Sequence, residues 1–190
     1  MAEALDHAVA LMTEEGVGAL SVSEVARRMG IRGPSLYKYL PSRNAMYDAL
    51  FARGLAAELA AVRAAVDGSD RGVPCIRAAA AAVVRWAVEH PALAQLLHWR
   101  PVPGFEPSPA VFAPSVADQD DLRAEFAEAV RLGQLAPAAD SDDVARLYTV
   151  LLSGLISQQL ANQPGVPYDE GVFSRLTDAA IELFLSAYAP

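Results

Sequence analysis

Apolar residues recur at helical spacing along almost the whole of this 190-residue chain, and no segment of any length alternates with the period of two expected of a strand. The pattern breaks into stretches with recognisable ends. A first helix runs through LDHAVALMTEE and stops at Gly16-Val17-Gly18. A long one covers 44–66 and closes near Asp67-Gly68, and the next spans Pro74 to Glu89 with Ile76, Ala80, Val83, Val84 and Ala87 as its apolar stripe. His90-Pro91 opens a shorter helix through Trp99. From Arg100 to Pro114 prolines are too frequent for a long helix, so this stretch reads as a loop or short turns. Leu122, Phe126, Ala129 and Val130 mark a helix over Val116–Leu132 with Gly133 as its stop. Ser141 caps another to Asn162, and the last is expected over Tyr168–Ala187. The chain therefore reads as all-α, with about nine helices.

The segment SVSEVARRMGIRGPSLYKYLPSR, from Ser21 to Arg43, carries the most information. Ser21 and Glu24 form a capping-box pattern, with Val22, Val25, Ala26 and Met29 as the apolar side of a short helix. Gly30 stops it, because glycine tolerates the left-handed geometry of a helix end. Ile31 and Arg32 carry the turn, Pro34 presets a second helix, and Pro41 ends it. Two short helices joined by a tight glycine turn are the helix-turn-helix arrangement that enters the major groove. On the second helix Leu36 and Leu40 share one side and must pack inward. Pro34, Ser35, Tyr37, Lys38 and Tyr39 are left for a surface of phosphates and base edges.

Charge changes the weight of that reading. Residues 21–43 hold Arg27, Arg28, Arg32, Lys38 and Arg43 against Glu24 alone, a local excess of four positive charges in a chain whose net charge is −8. A basic patch on an acidic protein is the footprint of phosphate binding. A plainer alternative is that Arg27 and Arg28 pair with Glu24 one turn away.

From Ala4 to about Leu55 the chain resembles the DNA-binding domain of the TetR family of transcriptional regulators, through the first helix, the helix-turn-helix and SRNAMYDALFARGL. By matching position the resemblance implies that Ser23 touches a base or phosphate and that Gly33, Pro34 and Ser35 begin the recognition helix. It also implies that Tyr37, Lys38 and Tyr39 face the groove and phosphates, and that Arg43 grips a phosphate. Arg32 joins this DNA-binding set. Two departures stand out. Members carry basic residues before the first helix, where this chain has Met1, Ala2 and Glu3, so the arm is absent or the start lies upstream. Gly33 also offers no side chain where others present a hydrogen-bonding one.

The expected division is 1–48 as a three-helix DNA-binding domain and 49–190 as a larger helical domain for effector binding and dimerisation. In the last helix Phe173, Leu176, Ala180, Leu183 and Ala187 make a heptad seam, while Thr177, Ile181, Phe184, Leu185 and Tyr188 make a second apolar side. Its neighbour offers Leu147, Leu151, Gly154, Leu155 and Gln158. The resemblance implies a homodimer through a four-helix bundle of these two helices from each copy. It also implies a pocket for an unidentified small molecule, with Val83, Trp86, Trp99, Phe105, Phe126, Tyr148, Leu152 and Gln159 as candidate lining. Each of these is equally at home in a plain core.

The remaining chemistry is sparse. No G-x-S-x-G, phosphate loop or H-E-x-x-H pattern is present, and His7, His90 and His98 are scattered, so no catalytic or metal residue and no cofactor is expected. The acidic clusters around Asp118 and Asp140 sit at helix starts, where carboxylates complement the helix dipole. The single cysteine, Cys75, cannot form an internal disulfide, and no apolar run approaches the ~20 residues of a membrane span; a cytoplasmic location without membrane contact is expected. The partners implied are a double-stranded palindromic operator, a small molecule that releases it, and a second copy of the chain. The regulator is read as a repressor, with an all-α enzyme or an interaction module without DNA binding as the alternative.

Overall fold

The computed structural model describes every residue from Met1 to Pro190. Nine α-helices and three short 3₁₀ turns account for the ordered elements. In chain order they are α1 (Ala2–Glu15), α2 (Val22–Arg28), α3 (Gly33–Tyr37), α4 (Arg43–Val66), α5 (Val73–Glu89), α6 (Pro91–Trp99), α7 (Pro109–Arg131), α8 (Asp142–Asn162) and α9 (Thr177–Ser186). No helix is long and apolar enough to cross a membrane.

The chain forms two compact units: Met1–Ala56 with His90–Ala113, and Ala57–Glu89 with Pro114–Pro190. This is a grouping by packing, whereas the division at residue 48 is one by role and remains a proposal. Helices α4 and α7 each contribute residues to both units.

In the first unit α1 packs on α2, α6 and the 3₁₀ turn Val17–Ala19. Leu11, Met12, Val25, Met46, Tyr47 and Leu50 are buried almost completely. The phenol of Tyr47 reaches from α4 and donates to the Val17 carbonyl oxygen at 2.6 Å, while its ring lies 5.3 Å from that of Phe105. Asp48 accepts from both the amide and the hydroxyl of Ser108, at 2.7 and 2.8 Å, placing a carboxylate at the start of α7 where the dipole favours it.

In the second unit α5 packs against α8 and α9. Phe126, Tyr148 and Phe184 meet edge to face, with centroids 5.7 to 6.3 Å apart. Tyr148 donates to the Ile76 carbonyl oxygen at 2.8 Å. The start of α5 is held from elsewhere in the unit: Glu125 accepts from the Gly72 amide and Gln134 from the Val73 amide.

Three expectations need correction. Helix α7 begins at Pro109, not Val116; Pro109 occupies the first helical position, where a missing amide costs nothing, and Pro114 is carried inside the helix. Helix α9 begins at Thr177, not Tyr168, because residues 164–173 form a loop whose backbone is tied to side chains of α8 and of the residue after it. Gln159 Oε1 accepts from the amides of Phe173 and Ser174, and Gln163 Oε1 from that of Val172. The helix expected from Pro34 up to Pro41 is also shorter, ending at Tyr37.

Candidate nucleic-acid interface

The turn between α2 and α3 follows its local chemistry closely. Ser21 Oγ accepts from the Glu24 amide at 3.4 Å, opening α2. Its end is a Schellman closure: Gly30 has φ +68°, its amide donates to the Arg27 carbonyl, and the Ile31 amide donates to Ala26. Only glycine holds that angle without strain. The reciprocal half of the capping box is replaced, because the Glu24 carboxylate is taken by Arg27 at 2.6 and 2.7 Å and by Arg28 at 3.1 Å.

Helix α3 is a one-turn rod. Arg32 stands at its N-cap and Pro34 in its first turn; beyond Tyr37 the chain continues as a turn, with the Leu40 amide donating to Leu36 at 2.9 Å. Leu36 and Leu40 are buried and fix the rod to the unit. Pro34, Ser35, Tyr37, Lys38 and Tyr39 all face solvent, with Tyr39 63% and Tyr37 41% exposed. Gly33 is half-buried, and a Cβ there would only touch the Tyr37 ring. Ser23 on α2 is exposed as well. Ser42 Oγ accepts from the Ala45 amide and so caps α4, which puts Arg43 in the first turn with its guanidinium over the Tyr47 ring. The ammonium of Lys38 lies 5.7 Å from the centre of the Tyr39 ring.

Local charge is smaller than a count of residues implies. Arg28 is drawn in by Glu14 at 2.8 Å, Glu15 at 3.5 Å and Glu24, and Arg27 is held by Glu24. Hydrogen bonds from the two guanidinium groups hold the Glu24 carboxyl down at about 2, far below its ordinary 4.5. The cations of this surface outside any ion pair are Arg32, Lys38 and Arg43. Sequence reasoning missed Glu14 and Glu15 as partners, since the first helix and α2 meet only in the fold. Glu24 was visible as an i, i+3 and i, i+4 partner.

The other candidate surfaces lie elsewhere. In the second unit Leu147, Leu176 and Leu183 are 52%, 45% and 74% exposed, Gly154, Gln158 and Ala187 are exposed, and Leu151, Leu155, Phe173 and Ala180 are half-buried. Val150, not among the expected interface residues, is 66% exposed on α8. The opposite side of α9, with Thr177, Ile181 and Leu185, is buried. Of the effector candidates, Trp99 and Phe105 belong to the first unit and the other six to the second. Phe126, Tyr148, Leu152, Trp86, Phe105 and Gln159 are buried, Val83 is half-buried and Trp99 exposed. Gln159 has its amide committed, Nε2 donating to the Gln163 carbonyl and Oε1 accepting from the amides of Phe173 and Ser174. Cys75 is half-buried, and desolvation pushes its thiol up, away from the thiolate a redox sensor needs.

The model of bacterial regulatory proteins of the tetR family matches residues 4–50, and that of the tetracyclin repressor-like C-terminal domain matches residues 76–180. An HTH-type transcriptional regulator of Mycobacterium tuberculosis is 31% identical over 100 residues, 52% of this chain. The chain spans only 43% of the length of that relative. Among solved structures, a protein of unknown function from Rhodococcus sp. RHA1 has TM-score 0.80 at 25% identity, over 100% of this chain and 95% of that one. FadR from Bacillus subtilis, solved with stearoyl-CoA, has TM-score 0.76 over 97% of each chain; at 14% identity the likeness is one of fold alone.

Proposed function

The chain belongs to the TetR family of bacterial regulatory proteins, and on that premise we propose that it is a ligand-responsive transcriptional repressor that binds a palindromic operator as a homodimer. The observation that carries the reading is the α3 rod, anchored by buried Leu36 and Leu40 while Ser35, Tyr37, Lys38 and Tyr39 stand in solvent. A plain structural helix of this length would bury more of its aromatic area. Hydroxyls and an ammonium serve base edges and phosphates, with Ser23, Arg32, Gly33, Pro34 and Arg43 completing the contact set. One such rod reads too few base pairs to select a site. Two related by a two-fold axis read half-sites about 34–36 Å apart, or a multiple of a turn. The exposed apolar residues of α8 and α9 supply the face on which a second copy would sit.

The effector is a small molecule of unassigned class, which the relatives do not transfer to this chain. Helix α4 carries Arg43 at one end and runs unbroken to Val66 in the second unit. A ligand that binds one setting of α4 better than another shifts the separation of the two rods. The coupling needs only about 1–3 kcal/mol to change operator affinity 5- to 150-fold.

Selection of bound fragments from the source genome, followed by gel shift across a salt series, tests this reading. A palindromic fragment bound with a steep salt dependence is the expected result, and metabolites of the neighbouring genes are then screened for release. If no duplex is retained at any salt concentration, the reading fails.

A further inference from the structure

Helix α2 presents only two side chains fully to solvent, Ser23 and Arg27, and they are one helical turn apart on the same stripe. If Ser23 faces the duplex, as the proposed function holds, Arg27 lies along the same backbone groove. One edge of its guanidinium is already occupied: Nε donates to Glu24 Oε2 at 2.7 Å and Nη2 to Glu24 Oε1 at 2.6 Å. This is the two-pronged geometry with which arginine grips a phosphate. The adjacent Arg28 is kept away by a different arrangement, anchored to Glu14 and Glu15 of α1 as well.

We propose that Glu24 is an internal stand-in for DNA phosphate, which withholds Arg27 from the backbone contacts and so limits sequence-independent capture of DNA. The physical argument is one of counterions. An arginine free of ion pairs that meets a phosphate releases a condensed cation, and each such contact steepens the salt dependence of binding by about 0.9. An arginine that stays on its carboxylate meets no phosphate and displaces no condensed cation, so it adds nothing to that slope. Because Arg27 and Arg28 hold the Glu24 carboxyl well below its ordinary value, the stand-in is charged at neutral pH. What is gained is a better ratio of specific to non-specific binding, the quantity that matters against a genome of competing sites. Phosphate contact is left to Arg32, Lys38 and Arg43, with the reading residues of α3 beside them.

The test needs no knowledge of the operator, since a labelled mixed-sequence duplex reports phosphate contacts alone. Its affinity is followed by fluorescence anisotropy between roughly 50 and 200 mM salt for the wild type, Glu24→Gln and Glu24→Gln/Arg27→Gln. Glutamine at position 24 keeps the capping-box pattern, and the Ser21 cap uses the backbone amide of residue 24, so α2 is retained. Glu24→Gln should bind more tightly at low salt, with a slope steeper by about 0.9 per chain, losing three- to fourfold more affinity over that range. The double variant should return to the wild-type slope. An unchanged slope in Glu24→Gln overturns the proposal, and so does a steeper slope that survives in the double variant, which would mean simple loss of a negative charge. This inference rests on the DNA-binding reading; a wild type that ignores every duplex removes both, whereas a wild type that binds with the wrong variant slopes removes this one alone.

Discussion

Helix α3 and the α8–α9 pair both leave side chains in solvent, but of opposite chemistry. Around the α3 rod the exposed groups are Arg32, Pro34, Ser35, Tyr37, Lys38 and Tyr39, with Ile31 of the preceding turn 39% exposed. Along α8, the 3₁₀ turn Ser174–Leu176 and α9 they are Leu147, Val150, Leu176 and Leu183, the last of them 74% exposed. Scattered exposed leucines are ordinary on any protein, but a run at helical spacing along neighbouring elements is not. Exposure by itself names no partner. A surface of donors over an apolar anchor suits a hydrated polyanion, whereas a stripe of leucines suits another stripe of leucines.

The largest effect expected breaks the second surface. Val150→Glu with Leu183→Glu places two carboxylates where apolar contact is proposed, in positions too exposed for the fold of one copy to suffer. Light scattering should report monomers at micromolar concentration. Operator affinity should fall by about a thousandfold, towards the level of sequence-independent binding. If the variant stays dimeric, the apolar stripe is not the interface and its contrast with α3 loses its meaning.

A smaller effect separates the two units by how their buried tyrosines are used. Tyr47 and Tyr148 each donate to a carbonyl oxygen, at 2.6 and 2.8 Å. Val17 lies in a three-residue 3₁₀ turn, whereas Ile76 is inside α5, where its carbonyl already faces an amide one turn on. Tyr47→Phe therefore strands a buried acceptor and should cost about 1–3 kcal/mol, lowering Tm by about 2–4 °C for each kcal/mol. Tyr148→Phe should cost visibly less in the same denaturant titration. Equal losses would show that the carbonyl's second partner is irrelevant.

Much of this was legible in the sequence where the determinant is local. Gly30, Pro34, Pro91, Gly133 and Ser141 each set a helix end through their own backbone or hydroxyl, and those ends fall within a residue or two of expectation. The exposed and buried sides of α3 also follow from spacing alone. The misses share another character. Nothing local distinguishes Pro109-to-Pro114 as the start of α7 from a proline-rich loop; the Asp48 carboxylate that closes on Ser108 comes from 60 residues away. The loop before α9 looks helical by apolar spacing, but the side chains of Gln159 and Gln163 and the hydroxyl of Ser174 bond its backbone and hold it out of a helix. Likewise the five basic residues near α3 could be counted, but Glu14 and Glu15 join Arg28 only once α1 and α2 are packed.

The smallest effect sharpens the comparison of the two units through their carboxylates, which respond to pH in opposite senses. Glu24 in the first unit is held down to about 2 by Arg27 and Arg28. Its pairing thus contributes stability that is complete above its ordinary 4.5 and is lost as pH falls towards 2. Asp118 in the second unit is pushed up, first by burial and then by the charges of Glu58 and Asp121, with Arg63 opposing. Its ionisation therefore opposes folding at neutral pH, and the penalty disappears once pH drops below its ordinary 3.8. Asp118→Asn should raise Tm at pH 7 and lose that advantage in acid, whereas Glu24→Gln should lower Tm slightly at pH 7 and become neutral near pH 2. A melting series on both variants decides the matter: parallel curves would mean that the desolvated Asp118 is as well compensated as Glu24, which two arginines pair.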